Sequence, residues 1–186
     1  GEAQAHLPVI KTNMPKKHII LSSSPSTAHK YPNIHTCTLH GLNPVLKLMY
    51  SDQPLAFYGI PKLCLAHKMY GFPFLDTNGE YGISNRDNYI ITNKSIMELK
   101  LIAAFLRTKT ALYIFETTRY RMKYLEKYAF EFIPDITGLE GFPKEPTDEN
   151  IADYFGFDSI DRENINKLHK KEYGFSFTNI YTNNIL

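Results

Sequence analysis

With 186 residues, 43% of them hydrophobic and 13% aromatic, the chain can bury one proper core, which excludes a disordered polypeptide. No apolar run approaches the ~20 residues of a membrane span, nothing at the start resembles a secretory leader, and Cys37 and Cys64 alone do not make a disulfide scaffold. The net charge of +2 conceals sorting, because residues 1–130 carry 16 Lys/Arg against 8 Asp/Glu whereas residues 131–163 carry 2 against 10.

A local surplus of positive charge suits contact with a polyanion, and the Tyr, Arg and Asn interleaved with it are side chains that meet phosphates and bases. The expected setting is intracellular, in a cytoplasm or, for a viral protein, an infected host cell. The Gly1-Glu2-Ala3 start, without an initiator Met, is expected to be either a tag remnant or an excised piece of a larger parent.

In chain order, residues 1–30 lack periodicity and are rich in Pro, Ser and Lys, which predicts an extended arm. Short β-branched and aromatic runs then alternate with breakers, predicting strands at 33–38, 45–51, 62–66 and 89–92. Asp76-Thr77-Asn78-Gly79 is a hairpin signal, since Asn-Gly takes the positive φ of a tight turn. Ser95 followed by Glu98 forms a capping box ahead of Ile96, Leu99, Ile102 and Leu106 at helical spacing, and Ala111 to Phe115 continues or bends that helix. Pro134, Gly138, Gly141, Pro143 and Pro146 mark a linker. Thr147 then caps a short helix that Gly156 stops, and Asp158 or Ser159 starts another running towards Lys170. The resulting expectation is an α+β fold: a twisted antiparallel sheet or half-barrel backed by helices, with an arm (1–30), a sheet-plus-helix recognition core (31–133) and an acidic helical appendage (134–186).

Three stretches in order, Tyr50-Ser51, Tyr58-Gly59-Ile60-Pro61-Lys62 and Asp76-Thr77-Asn78-Gly79-Glu80-Tyr81-Gly82-Ile83-Ser84, carry a resemblance. Downstream come Tyr89-Ile90-Ile91, Phe105-Leu106-Arg107-Thr108-Lys109, Phe132-Ile133-Pro134-Asp135, and Thr147-Asp148-Glu149 with Tyr154-Phe155-Gly156-Phe157 and Ile165. Together, over residues 31–168, they resemble the C-terminal target-recognition domain of TaqI-like adenine-N6 DNA methyltransferases and restriction-modification proteins. Related domains occur in phages and large DNA viruses. The resemblance implies a module that grips double-stranded DNA while a separate catalytic domain, using S-adenosylmethionine, acts on a flipped adenine. The catalytic Asn/Asp-Pro-Pro-aromatic loop of that family has no counterpart: the one Asn-Pro here is Asn43-Pro44, followed by Val45 and Leu46. A glycine-rich cofactor turn is missing too, so the chain itself is expected to be non-catalytic, without a bound cofactor or metal.

Read on their own chemistry, Asn85, Arg86 and Asn88 follow a tight turn from which Arg can grip guanine and Asn adenine. The plainer alternative makes the two Asn turn caps and Arg86 a solvated side chain. Arg119, Arg121 and Lys123, with Tyr120, Tyr124 and Lys127, form a basic aromatic cluster suited to phosphates, or else an ordinary solvated helix face. Lys62 is assigned to phosphate as well, with Tyr50 and Tyr58 beside it or closing the core.

Cys37-x-x-His40 and Cys64-x-x-His67 have metal-like spacing, but a strand sends residues three apart to opposite faces, which favours core cysteines. A Mg-dependent nuclease built on Asp135, Glu140 and Lys144 is a weaker reading, because Gly138, Gly141 and Pro143 break the segment. The acidic segment is either a solvated helical face or a docking face for a protein partner, and Tyr154, Phe155 and Phe157 are expected to bury its other side.

Overall fold

The computed structural model describes residues 5–40, 43–66, 72–118 and 127–170. Seven strands, β1 (Ile10–Lys11), β2 (Tyr31–His40), β3 (Asn43–Ser51), β4 (Lys62–Ala66), β5 (Phe74–Asp76), β6 (Gly82–Ile83) and β7 (Asn88–Ile91), precede four helices. The helices are α1 (Ile96–Leu106), α2 (Lys109–Thr118), α3 (Asp148–Phe155) and α4 (Ser159–Asn166). The class is α+β, as expected. The strands divide between two sheets instead of forming one, however: an antiparallel β1-β7-β4-β5 sheet and a mixed β3-β2-β6 sheet.

The division follows from what each strand can bury. All five residues of β4 and all four of β7 are buried, as a central layer covered on both faces requires. One face meets α1, while β2 contacts β4 from the other side, adding Ile34 and Cys37 to the cluster that holds Leu63, Cys64 and Leu65. β2 and β3 form a long hairpin whose register slips between Ile34 and Thr36, leaving His35 outside the ladder as a bulge.

The Asp76–Gly79 turn forms, with Gly79 at φ 66, but it does not close a hairpin. β5 pairs with β4, whereas β6 leaves that sheet to pair in parallel with Asn33 and Ile34 of β2. Gly82 permits this crossing, because a Cβ there would lie 2.4 Å from Asn33 Oδ1.

The N-terminal segment is extended, as expected, yet it is part of the body. Leu7 and Val9 are buried, Leu7 N–H donates to Ile133 O at 2.8 Å, Asp135 N–H donates to Ala5 O at 3.0 Å, and β1 pairs with β7. The segment read as a linker likewise contributes Ile136 and Phe142 to the core, so one apolar cluster runs from Leu7 to Leu168 through the expected arm, core and appendage.

Local capping fixes the helix starts. Ser95 and Glu98 make the reciprocal box at α1, Thr147 and Asn150 make one at α3, Asp158 caps α4, and Gly156 ends α3 at φ 67. The break between α1 and α2 falls at Arg107-Thr108. There Asp148, 38 residues ahead of Thr110, accepts from Thr110 N–H and Oγ1, both at 2.8 Å, and so serves as the cap of α2. The appendage docks on α2 through Ile151, Ala152, Ile165 and Leu168. Tyr154 and Phe155, expected on its buried side, are instead 36% and 37% exposed, Tyr154 packing edge-on with both Phe142 and Phe155.

Lys94, just before α1, bridges Asp135 at 2.5 Å and Thr137 at 2.7 Å. Burial pushes the Asp135 carboxyl up, but the Lys94 ammonium and the Thr137 hydrogen bonds outweigh it and hold the group below its ordinary value. A depressed folded value means the pair stabilises the fold above about pH 4, and the contribution is lost as pH falls through the folded value. Lys94→Met is therefore expected to melt below the parent at neutral pH, with the gap closing in strong acid, as thermal unfolding across pH would show.

Candidate nucleic-acid interface

Lys62 is not a phosphate contact. It is fully buried, and its Nζ donates to Asp76 Oδ2 at 2.6 Å across the β4–β5 ladder, where the two residues are direct partners. Its three N–H bonds are shared with the carbonyls of Phe57 (3.2 Å), Ile60 (3.3 Å) and Tyr81. Asp76 in turn accepts from Glu80 N–H at 2.9 Å and Tyr81 N–H at 3.1 Å. A charge that sequence places at the surface is thus the internal tie between the loop before β4 and the turn after β5.

That tie holds an unusual backbone. Phe57 sits at φ 65, a conformation costing about 1–3 kcal/mol in a non-glycine residue, and Gly59 (φ 78) donates its N–H to Gly79 O at 2.8 Å. The loop presents Tyr58, which is exposed, against Tyr31 with ring centroids 5.3 Å apart, and Lys30 lies 5.2 Å from the Tyr31 ring. Tyr50 is half-buried, its backbone paired with Ser22.

Asn88 is a second correction. It lies inside β7 at 1% exposure, its carboxamide bonded by the Cys64 thiol at 3.7 Å and directed at the carbonyls of His35 (3.5 Å) and Asn85 (3.4 Å), so it cannot inspect a base. Asn85 is half-buried, and its Oδ1 accepts from Arg86 N–H at 2.8 Å, the turn-capping alternative. Arg86 alone of the three is exposed, and its guanidinium has no hydrogen bond or ion pair among the described residues.

Along this loop runs the N-terminal segment, whose cations the sequence reading assigned only to an arm. Thr12 Oγ1 donates to Asn85 O at 2.6 Å and accepts from Asn88 N–H at 3.2 Å, while Thr12 N–H donates to Asn88 O at 3.0 Å. This sews the N-terminal segment along the 84–88 loop and sets Lys11 on β1 opposite Tyr89. Lys11, Lys16, Lys17 and His18 are exposed, with no side-chain partner among the described residues. The signal was present as Lys11 and the Lys16-Lys17 pair, but without pairing to β7 nothing in sequence joins it to Arg86.

Across the same loop the His35 bulge turns its ring to Ser84 Oγ at 3.0 Å. Burial, then the Lys47 charge, hold this imidazole below its usual value against the opposing Ser84 bond and Asp87 carboxylate. His35 is therefore mostly neutral at pH 7 and adds little positive charge beside this loop. Arg119, Arg121 and Lys123 lie outside the described residues, as do Tyr120 and Tyr124. Lys127 is exposed at the start of a 3-10 turn, Lys127–Phe132.

The remaining chemistry is spent on structure. Cys37 and Cys64 are buried free thiols, and burial pushes Cys37 up to about 12 and Cys64 up as well, which removes the thiolate that a metal or a nucleophile needs. His67 lies outside the described residues. Asp135 is committed to Lys94 and to capping the turn Ile136–Gly138. No family model, curated protein or solved structure matches the chain.

Proposed function

We propose that this chain is a sequence-recognising double-stranded DNA-binding module, the target-recognition part of an adenine DNA methyltransferase or restriction-modification enzyme, non-catalytic by itself. Its partners are then duplex DNA and the catalytic methyltransferase or nuclease domain of the parent, where any S-adenosylmethionine would bind. The observation that carries the reading is Arg86: a guanidinium without a partner among the described residues, on a turn whose backbone is pinned by Thr12 and β7, with the exposed Lys11 on the segment sewn along it and the exposed Lys16 and Lys17 further along that segment. A rigid turn loses little entropy on presenting one fork-shaped donor to a base edge, and neighbouring lysines supply the sequence-independent grip.

Fluorescence anisotropy with labelled duplexes tests this. Affinity is expected to fall about tenfold or more between roughly 50 and 200 mM salt, as counterion release dictates when several phosphates are neutralised. Arg86→Ala should cost about 1–3 kcal/mol and relax base preference, whereas Lys17→Ala should weaken all duplexes alike and lower the salt slope by about one. No binding to any duplex at low salt rejects the proposal.

One observation favours a second reading, a protein-interaction or virion component: Tyr154, Phe155 and Ile160 are exposed on helices otherwise rich in carboxylates. Co-purification of a basic partner without retention on heparin supports that reading. Cleavage of plasmid with Mg²⁺ by the purified chain would instead establish a nuclease.

A further inference from the structure

The N-terminal segment and the loop ahead of β4 do not close on each other. Between them lies a cleft of about 500 Å³, inside the range of roughly 300–1,000 Å³ that small-molecule sites occupy. Its cations stand on one wall only. The N-terminal wall supplies Lys11, Lys16 and His18 beside the apolar Ile10, Met14 and Ile19, the three basic side chains being without a side-chain partner among the described residues, and no carboxylate lines the cleft. The facing wall supplies Pro54, Leu55 and Phe57 over a floor of Ile83. One carboxamide comes from each wall, Asn13 and Gln53.

We infer that this cleft binds an unpaired nucleotide, its base against the Phe57 wall and its phosphate on Lys11 and Lys16. The chemistry selects that class by elimination. Inorganic phosphate would use the cations and leave the apolar wall wet. An aliphatic anion would cover the wall but offer the carboxamides of Asn13 and Gln53 no hydrogen-bond partner. A flat ring with donors and acceptors on its edge and one anionic group satisfies the wall, the amides and the lysines together.

The site is preorganised. Phe57 keeps its left-handed backbone because Lys62 Nζ and Ile60 N–H hold its carbonyl, and Ile83 N–H holds Ala56 O at 3.0 Å. The opposite wall is fixed by Thr12, whose bonds to Asn85 and Asn88 leave little freedom to the segment that carries Asn13. Of two further clefts among the described residues, that by Lys100 and Arg107 has cations and apolar surface but no carboxamide, and that by Arg162 is lined by Asp148 and Glu149.

Titration of the ¹⁵N-labelled chain with dTMP, thymidine and inorganic phosphate, followed by ¹H–¹⁵N correlation spectra, tests the inference. The expected result is shifts confined to Asn13, Met14, Lys16, Ala56 and Phe57, with dTMP at least about tenfold tighter than thymidine or phosphate, the factor that charge-assisted bonds added to ring contact would supply. Lys11→Ala/Lys16→Ala, changing two exposed residues, should erase that advantage, while Lys17→Ala, outside the cleft, should keep it. A 5′-phosphorylated thymidine trinucleotide identifies the source: tighter binding than dTMP marks a strand end, equal or weaker binding a free nucleotide, and both support the site. Shifts elsewhere, phosphate as tight as dTMP, or an unaffected double variant would overturn it. The inference stands apart from duplex reading, since Arg86→Ala should leave dTMP binding intact. A chain that binds dTMP but no duplex loses only the DNA-module proposal, and one that binds duplex but not dTMP loses only this one.

Discussion

Lys62→Ala is expected to lower unfolding stability by about 3–5 kcal/mol, a large fraction of the ~5–15 kcal/mol that holds a typical domain. The cost comes from what is left behind. Asp76, with its side chain 2% exposed, would keep a buried carboxylate without its counter-charge, and the carbonyls of Phe57, Ile60 and Tyr81 would lose their common donor. Removing both charges in Lys62→Met/Asp76→Leu should cost less than the sum of the single changes, since no uncompensated ion remains, although the freed backbone groups keep the variant below the parent. Urea denaturation of the three variants measures this. A loss below about 1 kcal/mol for Lys62→Ala would mean that the ammonium faces solvent, and would restore Lys62 as a phosphate contact.

Gly79→Ala is expected to cost about 2–4 kcal/mol, combining a left-handed φ of 66 with a Cβ only 2.4 Å from the backbone of Gly59 and Ile60. The obstructing atoms cannot swing aside as a side-chain tip would, because Lys62 holds the Phe57 and Ile60 carbonyls and Gly59 N–H is bonded to Gly79 O. Gly59→Ala is the control: φ is 78, but nothing lies within 4 Å of its Cβ, so only the conformational cost of about 1–2 kcal/mol applies. Equal losses from the two substitutions in urea melts would show that close approach of the two turns is not what holds the loop.

These two positions also show where reading residues one neighbourhood at a time succeeds and where it stops. The capping box of Ser95, the cap at Thr147, the stop at Gly156 and the positive φ of Gly79 depend on atoms within a few residues, and each was legible. The hairpin expected at Asp76–Gly79 failed although its turn was right, because a turn sets a local bend and not the strand that the chain meets next. Arg86 emerged as a surface donor. Its neighbour Asn88, of the same polar kind, was drawn into β7 by Thr12 and Cys64, 76 and 24 residues away.

Sequence by itself determined the α+β class, the caps of α1, α3 and α4, the four main strands to within a few residues and the sorting of charge along the chain. All of these follow from short-range periodicity, caps and composition. Tertiary structure alone decided that Lys62 is internal, that Asp148 caps a helix nearly forty residues earlier, and that the segment bearing Lys11 is sewn along the Arg86 loop. The physical reason is common to the three: whether a polar side chain is solvated or buried depends on a partner brought close by chain crossing, and no local pattern encodes that partner.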